Sequence, residues 1–179
     1  TNFDWPNENV CSAILNPTAE VTAACSSSGG FFFESYLVGF KRFEVGFLKA
    51  KETHPEGYVL VADISKFFDS ISVDVVVDIC RDLKLPEVAI EWLRRALPMW
   101  STGLPQGQAP SHLFASLALR KIDAHLEASG LAWSRFVDDI RIYHPTRDKL
   151  DKLRCELRTV LSGLGLTLNV EKTKVIKIE

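Results

Sequence analysis

A short apolar stretch that runs directly into an acid constrains the fold of this chain more than any other feature. Tyr58 to Ala62 is rich in apolar and β-branched residues, follows a turn signal at 54–57 and is succeeded by Asp63. The stretch is too short for a typical helix, so it predicts a buried strand. An ionised carboxylate at the end of such a strand requires a counter-charge, because burying an unpaired charge is costly.

A pair of adjacent acids forms the second acidic feature. Asp138 and Asp139 lie between short strand-like segments within 132–143, and in a tight hairpin both carboxylates can stay exposed at the tip. Adjacent carboxylates repel each other, and a divalent cation relieves the repulsion. Phosphoryl transfer by two metal ions needs oxygen ligands from separate elements, and Asp63 together with this pair meets that need. Taken singly, each acid is more simply a capping or turn residue.

Hydrophobic periodicity predicts the other elements. An amphipathic helix is expected within 31–51, where Phe40, Phe43, Phe47 and Ala50 share one face. The further elements are a helix from the N-cap Ser72 to Leu85, a helix through Trp92 and Leu97, a long helix over 113–126 ended by Gly130, a helix over 148–161 and strand material over 166–178. This order predicts an α+β fold of the ferredoxin or RRM type, in which helices cover one face of an antiparallel sheet and leave the other free for a ligand.

The size and charge of the chain limit the functions that it can have. A chain of 179 residues with 46% hydrophobic residues can bury one core, so one domain is the default. The net charge of -2 and the pI of about 6.1 give no sign of a nucleic-acid partner, which normally needs a basic face. That objection weakens if the chain is the acidic catalytic part of a larger enzyme. The missing initiator Met and the apolar, strand-like end predict further sequence beyond both ends.

The cysteines and the apolar runs argue against other classes of protein. Cys11, Cys25, Cys80 and Cys155 form no CxxC pair and have no His at metal-ligand spacing, so neither a zinc site nor a disulfide framework is expected. Reduced, mostly buried thiols are the simplest interpretation. No run approaches the roughly 20 apolar residues of a membrane span, and no signal peptide is recognisable. A cytoplasmic protein without a membrane partner is therefore expected.

Ordered motifs carry a resemblance to a known family, the reverse transcriptase superfamily. The matches are, in chain order, motif A at 63–69, motif B at Leu104-Pro105-Gln106-Gly107, motif C at Phe136-Val137-Asp138-Asp139 and motif D at 165–174. Phe67-Phe68-Asp69 and Lys121-Ile122-Asp123 suggest the bacterial branch, which includes retron, group II intron and abortive-infection phage-defence types. The resemblance implies a polymerase palm over 58–179 and a partial fingers-like segment, loop-rich and helical, over 1–57.

The resemblance implies a site for two Mg²⁺ ions, for which Mn²⁺ can substitute. Asp63 and Asp138 would hold both ions, Asp139 would support them, and the backbone carbonyl of Ile64 would be a further ligand. Lys172 would act with these acids as a catalytic residue, donating a proton to the pyrophosphate leaving group. Taken alone, Lys172 is more simply a solvated surface lysine.

The resemblance also implies a nucleotide-binding segment directly after the first strand. Ser65, Lys66, Phe67 and Phe68 would cradle the triphosphate. The bulk of Phe68 would exclude a 2′-hydroxyl and favour deoxynucleotides, although core packing is an alternative role for its ring. Gln106 would lie beside the incoming base pair, where its amide can donate and accept hydrogen bonds; alone, Pro-Gln-Gly is merely a turn.

Together these features predict an RNA-directed DNA polymerase. A primer 3′-hydroxyl, or a protein hydroxyl serving as primer, would attack the α-phosphate of a dNTP. The partners would be an RNA template, a DNA primer and product, dNTPs, and fingers and thumb regions from a larger chain or from partner subunits. Lys41 and Arg42 are weak candidates for contacts to the triphosphate from the fingers side. A role in phage defence is implied only at the level of the family.

Two alternatives stay open at this point. A non-catalytic, palm-like scaffold or RNA-binding subunit is consistent with the acidic charge and the sparse fingers segment, although the intact Asp63, Asp138 and Asp139 argue against it. An RNA-dependent RNA polymerase shares the palm. It would more naturally carry Gly than Val before the paired acids, and would lack Phe68 as a barrier to the 2′-hydroxyl.

Overall fold

The computed structural model describes residues 36–53, 55–100, 102–107 and 109–178. The loop-rich segment expected at 1–30, with Cys11 and Cys25, lies outside the described residues, and so does the side chain of Arg42. Within the described ranges, no helix is both long and apolar enough to cross a membrane.

The described residues form seven helices and four short strands. In chain order they are α1 (Tyr36–Thr53), β1 (Tyr58–Ala62), α2 (Phe67–Ser70), α3 (Val73–Asp82), α4 (Glu87–Trp100), α5 (Ala109–Ala118), α6 (Arg120–Ala128), β2 (Ala132–Phe136), β3 (Asp139–His144), α7 (Arg147–Ser162) and β4 (Lys174–Lys177). The start of α3 is confirmed, because the side chain of Ser72 accepts a hydrogen bond from the N–H of Val75 at 3.3 Å, as an N-cap does.

The strands form one antiparallel sheet in the order β2-β3-β1-β4. Leu60 of β1 pairs with Ile142 of β3, and Ala62 pairs with Ile140, so these side chains share one face. All four are buried in the main hydrophobic core, to which helices α3 to α7 also contribute. The predicted α+β fold, a sheet packed by helices, is confirmed.

The second face of the sheet, expected to be free for a ligand, is instead covered by α1. Val59 and Tyr143 of this face share a buried cluster with Ala50 of α1. Gly46 lies so close to β2 that an added Cβ would stand 3.2 Å from the Cβ of Ser134. The predicted apolar stripe of α1 explains the difference, since its aromatic residues need a surface on which to be buried.

The long helix expected over 113–126 is wrong in one respect, because it breaks at Leu119, whose φ is -86° and ψ 0°. The two halves pack differently. Phe114 of α5 and Leu126 of α6 both belong to the main core, whereas Leu113 of α5 lies in a separate small cluster with Ile79 of α3. The break allows each helix to bury its own stripe.

The strand material expected over 166–178 is regular only at Lys174–Lys177. Before that strand, Leu168 forms an isolated antiparallel bridge with Ile64, and a turn follows at 170–172. The chain therefore passes beside the segment that begins at Asp63 through the bridge, and then beside β1 through β4.

Candidate active site

Strand register brings the predicted acids to one edge of the sheet. Ala62 at the end of β1 pairs with Ile140 near the start of β3, so Asp63 lies just beyond the ladder at the same end. Phe136 pairs with Asp139, which leaves Val137 and Asp138 as the turn between β2 and β3. The carboxylates of Asp63, Asp138 and Asp139 therefore approach one another through pairing that the chain order alone does not specify.

The turn that carries Asp138 has an unusual backbone. Val137 has a φ of 56°, in the left-handed region, which a β-branched side chain rarely adopts. Asp138 and Asp139, which follow it, are half-buried. Strained backbone of this kind persists only where the surrounding structure enforces it, and it is frequent at functional sites.

Burial and mutual repulsion act together on the paired acids. Burial raises the pKa of Asp138 above its ordinary value, and the charges of Asp63 and Asp139 raise it further. Burial also raises the pKa of Asp139, although the guanidinium of Arg141 acts in the opposite direction. Negative charge is thus concentrated at this edge of the sheet and incompletely neutralised by the surrounding protein.

Lys172 reaches this edge from the turn that precedes β4. Lys174, the first residue of β4, pairs with Val61, and Lys172 lies two residues before it in the turn at 170–172. Its Nζ donates a hydrogen bond to Oδ1 of Asp63 at 3.2 Å. The hydrogen bond with Asp63 and the acidic surroundings raise the pKa of the Lys172 ammonium. Two residues predicted separately, in motifs A and D, are thereby in direct contact.

A turn organised by Asn169 presents Lys172. The Asn169 side-chain Oδ1 accepts hydrogen bonds from the backbone N–H of Glu171 at 3.2 Å and of Lys172 at 3.3 Å. Its own N–H donates to the carbonyl of Asp63 at 2.8 Å. The sequence analysis assigned no role to Asn169. Asn is a common turn former because its side chain bonds to the backbone two residues onward, and this preference could have indicated the turn.

The segment after Asp63 contains side chains with different surroundings. The N–H of Ser65 donates to the carbonyl of Thr167 at 2.8 Å, and Lys66 is exposed with a φ of 46°. Phe67 is only 3% exposed and lies in the main core, so it can face a ligand only through its backbone. Phe68 is half-buried.

The predicted motif B loop docks on α2. The N–H of Leu104 donates to the carbonyl of Phe68 at 2.9 Å. A Cβ added at Gly103 would stand 2.6 Å from the carbonyl oxygen of Asp69, so only glycine permits this approach. Gln106 follows in the same loop and is exposed. Gly103 immediately precedes the predicted motif and was assigned no role from sequence.

The donor set of the acidic edge fits a hard divalent cation in its chemistry. Carboxylate oxygens are the ligands that Mg²⁺ prefers, and a cation would relieve the repulsion described above. Within the described residues, no three His, Cys, Asp or Glu side chains converge closely enough to hold a metal ion, and Asp63 is paired with Lys172. Metal binding would therefore require Asp63 to exchange its ammonium partner for the ion.

A sequence profile identifies the family. The profile described as reverse transcriptase (RNA-dependent DNA polymerase) matches residues 23–178, which is most of the chain and contains the ordered motifs. The chain belongs to the reverse transcriptase family. The matched range contains Asp63, Asp138, Asp139 and Lys172.

Two retron reverse transcriptases of Escherichia coli are similar to this reverse transcriptase chain. Retron Ec86 reverse transcriptase is 24% identical over 142 residues, which cover 77% of this chain and 44% of that protein. Retron Ec48 reverse transcriptase is 28% identical over 123 residues, which cover 65% of this chain and 30% of that protein. The chain thus spans less than half the length of these relatives. Their similarity supports the predicted bacterial branch of the family.

Telomerase structures from Candida tropicalis share the fold. The complex with a TWJ fragment of telomeric RNA gives a TM-score of 0.64 at 15% sequence identity, and covers 98% of this chain and 34% of that chain. The apo telomerase truncated from its C-terminal domain gives a TM-score of 0.61 at 14% sequence identity. That match covers 94% of this chain and 40% of that chain. At such low identity the likeness concerns the fold alone, and it agrees with the α+β palm predicted for a reverse transcriptase.

Proposed function

We propose that this chain is the palm of an RNA-directed DNA polymerase that transfers dNTPs to a primer 3′-hydroxyl or to a protein hydroxyl. The observation that carries the proposal is that strand register places Asp63, Asp138 and Asp139 at the same end of the sheet, in a chain whose reverse transcriptase match spans 23–178. The fold, the family and the concentrated negative charge all agree with nucleotidyl transfer. An RNA template, a DNA primer and dNTPs are the proposed partners.

The proposed residues have distinct tasks in the transfer. The primer hydroxyl loses its proton to solvent, its oxygen attacks the α-phosphorus, the bond to the β-phosphate oxygen breaks, and pyrophosphate leaves. Two Mg²⁺ or Mn²⁺ ions, when bound to Asp63, Asp138, Asp139 and the carbonyl of Ile64, supply Lewis-acid stabilisation of the attacking and leaving oxygens. Lys172, freed from its ion pair with Asp63, donates a proton to the departing pyrophosphate, whose charge its ammonium also offsets.

The nucleotide is proposed to lie along the segment that follows Asp63. Ser65, Lys66 and the backbone at Phe67 face the triphosphate, and the half-buried ring of Phe68 excludes a 2′-hydroxyl. The docking of Leu104 on the carbonyl of Phe68 supports a common site, because it joins the loop of Gln106 to this segment.

The direct test is primer extension by the full-length protein with dNTPs, Mg²⁺ and a primed RNA template. Asp138→Asn is expected to lower incorporation on the order of 100-fold or more, since it removes a carboxylate ligand of the ions that would stabilise the attacking and leaving oxygens. Asp78→Asn is the matched control, because Asp78 is exposed and forms only a surface ion pair with Arg81. Equal incorporation by wild type and Asp138→Asn would refute the proposal.

A non-catalytic scaffold is the second candidate, and the ion pair between Lys172 and Asp63 favours it. A palm that never binds metal would keep this pair permanently. Thermal unfolding in rising Mg²⁺ or Mn²⁺ separates the two functions, because a ligand of the native state raises Tm by mass action. A polymerase palm is expected to show a metal-dependent rise in Tm that Asp63→Ala removes, and a scaffold no rise in either protein.

We further propose a bacterial, cytoplasmic setting and a role in phage defence. The similarity to the two retron reverse transcriptases and the bacterial features of motif A support this setting. Fingers and thumb regions of a larger chain, or partner subunits, would complete the enzyme. Plaque counts on cells that carry the wild-type gene or its Asp138→Asn version test the role, and equal phage titres on both would contradict it.

A further inference from the structure

A buried ion pair lies directly behind the turn that carries the paired acids. The guanidinium of Arg135 in β2 donates from Nε and Nη2 to the two carboxylate oxygens of Asp123 in α6, each at 2.7 Å. The Arg135 side chain is 0% exposed and that of Asp123 is 7% exposed. Burying both charges is costly, and the forked geometry with two short hydrogen bonds is the arrangement that offsets the cost.

Arg135 also bonds to the backbone of the turn. Its Nη1 donates to the carbonyl of Val137 at 2.7 Å, two residues along the chain. Arg135 pairs with Ile140 across the hairpin and points to the main core, so its side chain lies on the opposite side of the sheet from Phe136 and Asp139. The guanidinium therefore contacts the turn that carries Asp138 through the backbone carbonyl of Val137.

We propose that Arg135 and Asp123 are positioning residues for the acidic edge. Asp123, anchored in α6, fixes the plane of the guanidinium, and Nη1 of Arg135 fixes the peptide that joins Val137 to Asp138. This contact holds Val137 at its φ of 56° and directs the carboxylates of Asp138 and Asp139 toward Asp63. The inference rests on the proposed function, because it concerns the same metal-binding acids.

The chemistry of the side chains makes the role specific to arginine. A guanidinium presents several donors in a rigid plane, so it can serve both carboxylate oxygens and a carbonyl at once. A lysine keeps the charge but has a single ammonium on a flexible stem, so it cannot fix that plane. Without the contact, a valine at positive φ is free to relax to an ordinary conformation, which would turn the peptide before Asp138.

The test measures Mn²⁺ binding to the full-length protein by electron paramagnetic resonance, in the absence of substrates. Arg135→Lys and Asp123→Asn are each expected to weaken Mn²⁺ affinity by about 10- to 100-fold, as the loss of groups that orient metal ligands does. Leu150→Ala is the control. Leu150 is fully buried in α7, and α7 follows the end of β3 that is far from the turn. The variant should lower Tm but change Mn²⁺ affinity by less than about 2-fold.

A rescue variant separates positioning from a purely structural role. Val137→Gly adopts a positive φ without strain, so adding it to Arg135→Lys is expected to recover part of the lost Mn²⁺ affinity. If Arg135→Lys does not fold, Mn²⁺ affinity is compared between the wild type and Asp123→Asn, which keeps the side-chain shape. Wild-type Mn²⁺ affinity in a folded Arg135→Lys or Asp123→Asn variant would overturn the inference and leave the proposed function intact. Failure of the wild type to bind Mn²⁺ would overturn both.

Discussion

Phe67 and Phe68 are adjacent residues with opposite surroundings. Phe67 is 3% exposed and belongs to the main core, whereas Phe68 is half-buried and packs edge-on against the ring of His112 at 5.1 Å between centroids. The two rings also contact each other at 5.5 Å. Phe67 is therefore part of the core, whereas Phe68 packs against the core with its ring only partly buried.

The adjacent phenylalanines give a matched pair of variants. Phe68→Ala is expected to raise ribonucleotide incorporation relative to dNTP incorporation by at least about 10-fold, because the ring that excludes the 2′-hydroxyl is removed. Phe67→Ala should instead lower the free energy of unfolding by about 3–5 kcal/mol and leave the sugar preference unchanged. Single-nucleotide extension and denaturant unfolding measure the two effects. A similar sugar preference in wild type and Phe68→Ala would show that Phe68 is only a packing residue.

The two described cysteines are expected to differ in reactivity. Cys80 is fully buried, and burial raises the pKa of its thiol to about 12, so almost no thiolate forms at pH 8. Cys155 is exposed on α7. Iodoacetamide at pH 8 should modify Cys155 in the native protein and Cys80 only after denaturation, as peptide mass mapping would show. Equal modification of both in the native state would contradict the burial of Cys80.

At the scale of elements, the site depends on how loops dock between helices and strands. The loop at 102–107 binds to α2 through the N–H of Leu104, and Gly103 makes that approach possible. The turn at 169–173 binds to the end of β1 through Asn169. Both contacts use backbone groups, so the positions of Gln106 and Lys172 depend on the fit of whole segments.

Gly103→Ala tests the docking of the loop on α2. Its Cβ would collide with backbone carbonyls, so we expect a loss of about 1–3 kcal/mol in the free energy of unfolding, together with weaker dNTP binding. Gly163→Ala is the control, because Gly163 has a helical φ of -64° and its added Cβ would make an ordinary contact at 3.4 Å. Urea unfolding and KM for dNTPs report the effects, and equal stability of both variants would argue against the close approach.

At the scale of the whole molecule, charge and extent limit what the chain can do alone. The net charge is -2, and the acidic edge concentrates negative charge where a polyanion would have to approach. The chain spans less than half the length of the retron relatives it matches. Metal ions and Lys or Arg residues outside this chain would therefore supply the attraction for phosphate in the proposed enzyme.

The charge leads to a prediction about nucleic-acid binding. This chain alone should bind a primed RNA template more weakly than about 10⁻⁴ M at physiological salt, since it offers few phosphate contacts. The full-length protein should bind more tightly, with an affinity that falls as salt rises. Fluorescence anisotropy over a salt series measures both proteins. Micromolar, salt-dependent binding by this chain alone would show a basic surface that the net charge conceals.

The sequence by itself determined the α+β class, the apolar strand that runs up to Asp63 and the N-cap of α3. It also singled out Asp63, Asp138 and Asp139 as candidate metal ligands. These features depend on local patterns, such as apolar periodicity, capping chemistry and turn residues, which act over a few neighbours along the chain. Motif order then identified the family without any knowledge of distances.

The tertiary structure alone decided what lies around those acids. The contact of Lys172 with Asp63 depends on the register of β4, and the bond of Arg135 to Val137 depends on the packing of α6 behind the hairpin. Likewise, the burial of α1 on the second sheet face and the break at Leu119 depend on which surfaces are available to cover. The contact of Lys172 with Asp63 and the packing of α1 on the sheet join residues far apart in the chain. Local sequence patterns therefore do not predict them, and only the folded arrangement determines which groups meet.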